Sequence, residues 1–127
     1  MIKPVKFVIM FEILDITKNN LIAFKVRGKV EKKDYDKPTP LMEKTEREFD
    51  TRKLYVEIEN IEGIEPAALW EDFKVYFLHV KNFKKIAVVG QGGVIEKITN
   101  LTKPFVSGEI KFFETGEAVN ARDWVEE

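Results

Sequence analysis

Few side chains in this sequence are suited to catalysis or metal binding. It contains one His, His79, and no Cys, so it has no Cys nucleophile, no disulfide and no zinc site built from thiolates or several imidazoles. The adjacent acids Glu71 and Asp72 point in different directions on a helix, and Glu57 and Glu59 are expected to face water from a strand. We therefore predict no catalytic residue, no metal site and no cofactor, and a protein that is not an enzyme.

The loop over residues 60–65 follows a predicted strand. Ligands and partners of open α/β sheets usually bind at the carboxyl ends of strands. Asn60, Glu62 and Gly63 are therefore candidate binding residues. A plain connection, in which Gly63 only allows the turn, explains the loop equally well.

A second loop, residues 90–93, has the sequence Gly-Gln-Gly-Gly and also lies between a predicted strand and a predicted helix. Gly90 and Gly92 could place free backbone amides against a phosphate there. The third glycine of a G-x-G-x-x-G motif is missing, because position 95 is Ile. A flexible turn is the favoured interpretation.

The helix predicted over residues 66–80 carries more aromatic rings than one core-facing stripe needs. Its inner stripe, extended past the end of the helix, is Leu69, Phe73, Tyr76, Val80 and Phe83. The apolar residues off that stripe are Trp70, Phe77 and Leu78. Surplus rings beside a basic flank are typical of a lipid-like ligand, a membrane surface or a protein partner. A wide stripe buried under another helix is the alternative. The candidate binding residues here are Trp70, Phe73, Lys74, Phe77 and His79, although His79 can equally bond a nearby carbonyl.

Length and charge limit the remaining possibilities. The 127 residues predict a single domain, residues 1–127, with a core of its own. The 21 basic and 22 acidic side chains give a net charge of −1, which provides no field to hold nucleic acid. No segment is apolar for long enough to suggest a membrane span, so we expect a cytoplasmic protein.

The hydrophobic pattern predicts an α/β fold in the order ββαβαβαβα. The predicted strands are residues 5–16, 21–26, 52–59, 85–89 and 109–113, and the predicted helices are residues 40–49, 66–80, 94–101 and 116–125. The first strand should be antiparallel to the second, and the others parallel with right-handed crossovers. If the second and third strands are neighbours, Lys25 and Arg27 should complement Glu57 and Glu59. The last helix is expected to bury Ala118, Val119, Ala121 and Trp124 or Val125.

Several runs in this order resemble the SpoIIAA-like family of the STAS-domain superfamily, which is sometimes grouped with CRAL-TRIO-type lipid-carrier domains. The runs are ALWEDFK at residues 68–74, His79 followed by FKKIAVVG at 83–90, EIKFF at 109–113, and Ala118 with Trp124-Val125. The resemblance implies a SpoIIAA/STAS-like five-stranded mixed sheet wound with helices. It also implies a bacterial, non-enzymatic regulatory or ligand-sensing module.

One feature of that family is missing from this sequence. Anti-sigma-factor antagonists carry a Ser or Thr phosphorylation switch where the helix after the third strand begins. The matching residues here, 60–66, contain no hydroxyl. Glu62 and Glu65 already supply the negative charge that phosphorylation would add, so the resemblance does not extend to that switch.

The sequence thus predicts a binding or regulatory module that recognises an apolar or lipid-like ligand, or a membrane surface, around residues 66–80. The alternative is a protein-interaction module. That module would be either a homodimer through the same helix or the partner of a kinase-like regulator at residues 60–65. No nucleic-acid partner is expected.

Overall fold

The structure of the protein is a computed structural model that describes residues 10–27, 39–59, 83–91 and 93–127. The described strands are β1 (Met10–Ile13), β2 (Leu21–Arg27), β3 (Arg52–Glu59), β4 (Phe83–Gly90) and β5 (Glu109–Glu114). The described helices are α1 (Thr39–Glu48), α2 (Gly93–Thr102) and α3 (Ala118–Glu126), with 3₁₀ turns at Lys103–Phe105 and Thr115–Glu117. These helices begin and end within two residues of the predicted positions, and the predicted helix 66–80 lies outside the described residues. None of the described helices is long and apolar enough to span a membrane.

The five strands form one mixed sheet in the order β1-β2-β3-β4-β5. β1 runs antiparallel to β2, and each later neighbour is parallel to the one before it. β4 lies inside the sheet, between β3 and β5, and carries a continuous apolar run over residues 86–89. Phe83, which was predicted to extend the inner stripe of the 66–80 helix, is instead the buried first residue of β4, so that prediction is wrong. The predicted fold, a five-stranded mixed sheet with an antiparallel first strand, is confirmed.

The turn between β1 and β2 begins earlier than predicted, because β1 ends at Ile13 rather than at Ile16. The Thr17 hydroxyl accepts a hydrogen bond from the Ala23 N–H and donates one to the Ala23 carbonyl, each at 2.9 Å. The Leu14 N–H still donates to the Ala23 carbonyl at 2.8 Å, but a longer β1 would have to compete with Thr17 for the Ala23 N–H. Asn19 has a φ of 54°, a left-handed conformation that Asn tolerates, which confirms the predicted asparagine turn.

Side chains alternate across the sheet and give it two faces of different chemistry. α3 packs on one of them, the α3 face, which also carries the charged strand residues Lys25, Glu57 and Lys85. Its core consists of Leu21, Ala23, Tyr55, Ala87, Val89, Ala121 and Val125. α2 packs on the other, the α2 face, at β4 and β5. In the middle of the described strands, the buried side chains on the α2 face are all apolar. They are Ile22, Phe24, Leu54, Val56, Ile58, Ile86, Val88 and Ile110.

The inner side of α3 differs from the prediction at one residue. Ala121 and Val125 are fully buried, and Ala118 and Trp124 pack partly buried against the same core. Val119, however, is 70% exposed, so the prediction that it is buried is wrong. Val119 lies two residues before Ala121, which places it roughly 200° around the helix from the buried stripe.

Candidate functional site

Most of the predicted binding residues lie outside the described part of the chain: Asn60, Glu62, Gly63, Trp70, Phe73, Lys74, Phe77, His79 and Gly92. Gly90 is described, and it is buried at the end of β4 on the α2 face. A Cβ at this position would lie 3.0 Å from Ile95 Cγ2, so glycine allows α2 to pack closely on β4. A role of Gly90 in phosphate binding stays a prediction.

Charged side chains on the α3 face form a cluster between β2 and β3. Lys25 and Glu57 are cross-strand partners, and Lys25 Nζ lies 3.4 Å from Glu57 Oε2 and 3.8 Å from Glu59 Oε2. The predicted complementarity of Lys25 with the acids of the third strand is confirmed. Glu57 is the most enclosed of these three charged residues, with its side chain 14% exposed.

Arg122 of α3 and Tyr55 of β3 complete this cluster. The Tyr55 hydroxyl donates a hydrogen bond to Glu57 Oε1 at 2.5 Å, and Arg122 Nη2 donates to the same oxygen at 3.3 Å. The Arg122 guanidinium also lies over the Tyr55 ring, 5.6 Å from its centroid. Glu57 therefore joins three elements, because β2, β3 and α3 all direct a donor to its carboxylate. We call these four residues, Lys25, Tyr55, Glu57 and Arg122, the ionic cluster.

Sequence reasoning did not identify Arg122 as a member of this cluster. Arg122 follows the buried Ala121 directly and lies one helical turn after Ala118, so the pattern places it at the flank of the inner stripe. No local pattern indicates that this flank faces β3 rather than β5. That placement depends on how α3 lies across the sheet.

The pKa values of Tyr55 and Glu57 are both shifted away from neutral pH. Burial, together with the hydrogen bond to Glu57, raises the pKa of Tyr55 from 10.0 to about 12. Burial alone would raise the pKa of Glu57, but the Tyr55 hydrogen bond and the charge of Lys25 outweigh it, and the net pKa is lowered. An effective general acid or base has a pKa near the working pH. Tyr55 and Glu57 thus stay in one protonation state near neutrality, so they are suited to structure and not to proton transfer.

A second set of contacts on the α3 face holds the C-terminal end of α3. Lys85 Nζ donates to the Trp124 carbonyl at 3.0 Å, and Lys53 Nζ donates to the Glu126 carbonyl at 3.3 Å. The last carbonyls of a helix lack partners within the helix and carry partial negative charge. The two lysines therefore cap α3 from the sheet.

The Trp124 indole lies between two ammonium groups on the same side of the sheet. Lys85 Nζ and Lys111 Nζ are 5.0 and 5.2 Å from the centroid of the ring, within the range of a cation–π interaction. The Phe113 ring of β5 lies 5.9 Å away at an interplanar angle of 49°. Trp124 thus anchors α3 over β5, as Arg122 anchors it over β3. Within the described residues, no three His, Cys, Asp or Glu side chains are grouped to hold a metal ion.

The mixed sheet with helices on both faces describes a small α/β module. Residues 21–126 match the SpoIIAA-like family, and the chain belongs to that family. Members of the family are generally non-enzymatic binding modules.

A solved structure supports the same assignment. The chain is similar to an uncharacterized protein of the DUF3478 family from Shewanella loihica PV-4, which has a SpoIIAA-like fold. The two are 32% identical, the match covers 93% of this chain and 92% of that chain, and the TM-score is 0.65. No curated protein matches the chain.

Proposed function

We propose that this protein is a non-enzymatic binding module that takes up an apolar, lipid-like ligand or docks on a membrane surface through residues 66–80. The observation that carries the proposal is the difference between the two faces of the sheet. The α3 face bears the ionic cluster and the lysines that cap α3. The α2 face is apolar and buried through the middle of β2, β3 and β4.

The topology links that apolar face to the predicted aromatic helix. β3 and β4 are parallel neighbours, and such strands are joined by right-handed crossovers. The connection from β4 to β5 places α2 on the α2 face. A connection of the same hand and direction, from β3 to β4, is expected to cross the same face. A helix over residues 66–80 would then present its inner stripe to aliphatic side chains such as Leu54 and Val56.

Two further observations support binding of an apolar group over catalysis. Tyr55 and Glu57 of the ionic cluster are held in fixed protonation states near neutral pH. The sequence of residues 66–80 adds Trp70 and Phe77 beyond the inner stripe, with Lys74 at its flank. Apolar rings beside lysine suit a lipid with an anionic headgroup, because the rings take the chains and the ammonium takes the charge.

The first test of this proposal is organic extraction of the purified, denatured protein followed by mass spectrometry against a matched blank. We expect an apolar compound in a stoichiometric amount. The complementary test is sedimentation with vesicles of phosphatidylcholine that contain a minor fraction of phosphatidylglycerol. A clean extract together with no sedimentation would overturn the proposal.

The binding surface is tested by the double variant Trp70→Ala/Phe77→Ala. It should stay folded and lose binding to oleate or to the vesicles. Leu101→Ala/Val119→Ala is the matched control, because it also removes two apolar side chains that are 47% and 70% exposed on α2 and α3. Equal binding by the two double variants would contradict a site at residues 66–80.

A further inference from the structure

We propose that β5 is a homodimerisation edge, which pairs antiparallel with β5 of a second copy about a two-fold axis at Ile110. The paired strands would join two sheets into one of ten strands. This inference is independent of lipid binding, because it concerns the edge of the sheet and not its α2 face.

β5 is a terminal strand of the sheet. It pairs with β4 on one side, and no strand pairs with its other side within the described residues. A free edge exposes a row of backbone donors and acceptors that can pair with another chain. Two rings on this strand, Phe112 and Phe113, are only partly buried, so the edge also offers apolar surface.

Two charged residues of β5 have no ion-pair partner among the described residues. Glu109 and Lys111 are both exposed and both lie on the α3 face. Neither has an ion pair among the described residues, and Lys111 contacts the Phe113 and Trp124 rings instead. On its α3 face the strand therefore presents one acid and one base, two residues apart, that form no ion pair with the described residues.

Self-complementarity selects the register. A two-fold axis normal to the sheet makes residues of one copy face residues of the other copy on the same side of the sheet. A pair of unlike charges that face each other in this way is stabilising. An axis at Ile110 sets each Glu109 opposite Lys111 of the second copy, which gives two ion pairs. An axis at Lys111 instead sets the two lysines directly opposite each other. An axis at Phe112 sets Ile110 opposite Glu114.

The register at Ile110 also suits the α2 face of the edge. It sets the two apolar Ile110 side chains opposite each other. One strand pair buries less area than a standard protein interface, so we expect a weak dimer that dissociates on dilution.

Analytical ultracentrifugation of the full chain over a concentration series tests the proposal. The wild type should move from monomer to dimer as concentration rises. Glu109→Lys and Lys111→Glu should each be monomeric over the same range, because each places like charges opposite each other twice. Asp123→Lys, the same kind of charge reversal at an exposed position of α3, should keep the dimer.

Two rescue experiments distinguish this register from a general effect of charge. An equimolar mixture of Glu109→Lys and Lys111→Glu should form a heterodimer, because every facing pair is then of opposite charge. The double variant Glu109→Lys/Lys111→Glu should recover the homodimer. A wild type that stays monomeric throughout, a dimer that both single reversals leave intact, or a failure of both rescues would each overturn the proposal. Circular dichroism of each variant checks that the fold is retained.

Discussion

Tyr55 and Glu57 stabilise each other in the protonation states that the fold requires. Tyr55 is fully buried, and its hydroxyl donates a hydrogen bond to the Glu57 carboxylate, which also accepts one from Arg122. Ionising Tyr55 would place a phenolate beside that carboxylate in a buried site, which explains why the pKa of Tyr55 is raised. The contribution of Tyr55 to the free energy of unfolding therefore depends on pH.

The consequence is a loss of stability at alkaline pH. In the unfolded chain Tyr55 ionises with a pKa of 10.0, whereas in the folded chain its pKa is about 12. The stabilisation is complete below pH 10 and declines as the pH rises through about 12, because only the unfolded state gains from losing the proton. We expect the advantage of the wild type over Tyr55→Phe, measured by urea unfolding, to shrink across that range. A difference between the two proteins that is constant with pH would contradict this account.

The sequence predicted part of the ionic cluster. Lys25 and Glu57 follow from strand alternation, because each lies on the polar side of its own strand and the two strands are neighbours. The membership of Arg122 in the cluster could not be predicted, because its side chain contacts Glu57 of β3 only as a result of the way α3 packs on the sheet. The Tyr55 hydroxyl was missed for a related reason. Its hydrogen bond joins residues two apart on one strand, which a pattern of hydrophobicity does not reveal.

At the scale of elements, α3 is held at its C-terminal end by lysines that belong to the sheet. Lys85 donates to the Trp124 carbonyl and lies over the Trp124 ring, and it is 3.7 Å from Glu127 Oε1. Lys84, the preceding residue, is exposed. These adjacent lysines carry the same charge in different environments.

We therefore predict that Lys85→Met lowers the free energy of unfolding by about 1–2 kcal/mol, because it removes a charged hydrogen bond and a cation–π contact. Lys84→Met is the matched control and should change stability by less than about 0.5 kcal/mol. Hydrogen exchange should locate the effect, with faster exchange of amides near the end of α3 in Lys85→Met. Equal effects of the two substitutions would show that the cap contributes nothing.

The entry of the chain into β5 depends on a glycine at position 108. A Cβ there would lie 2.2 Å from the Lys84 carbonyl oxygen and 2.3 Å from that of Phe83. Both obstacles are backbone atoms, so no side-chain rotation relieves the clash. The start of β5 can approach β4 this closely only with glycine.

Gly108→Ala is accordingly expected to lower the free energy of unfolding by about 3 kcal/mol, by overpacking against backbone. Gly93→Ala is the control, because a Cβ at the start of α2 has nothing within 4 Å. It should be neutral or stabilising by up to about 1 kcal/mol, since Ala favours a helix. Thermal unfolding measures both. Similar melting temperatures for the two variants would contradict the role of Gly108.

The elements themselves were largely predictable from the sequence. The order of the described elements, the antiparallel first strand and the ends of α1, α2 and α3 follow from hydrophobic period and from turn residues. Val119 was misplaced because two adjacent apolar residues, Ala118 and Val119, leave the buried side of a short helix ambiguous by one position. The close approach at Gly108 depends on how β4 and β5 pack, which no local signal reports.

For the whole molecule, the two sides of the sheet differ in their chemistry. The α3 face is fastened by ion pairs and lysine caps, whereas the apolar α2 face lies on the side where the predicted aromatic helix should cross. The chain has two tryptophans, Trp124 on α3 and Trp70 in the predicted helix. A variant that lacks one of the two tryptophans keeps the other as its single fluorescent reporter, so each variant reports on one side of the sheet.

The most direct measurement is a fluorescence titration of two single-tryptophan variants with oleate and with the mixed phospholipid vesicles. Trp124→Phe keeps Trp70, and its emission should shift to shorter wavelength and saturate as lipid is added. Trp70→Phe keeps Trp124, and its emission should not change. A shift with oleate alone would indicate a carrier of single molecules, and a shift with vesicles alone would indicate membrane docking. No shift of Trp70 with either probe, or equal shifts of both tryptophans, would contradict the account.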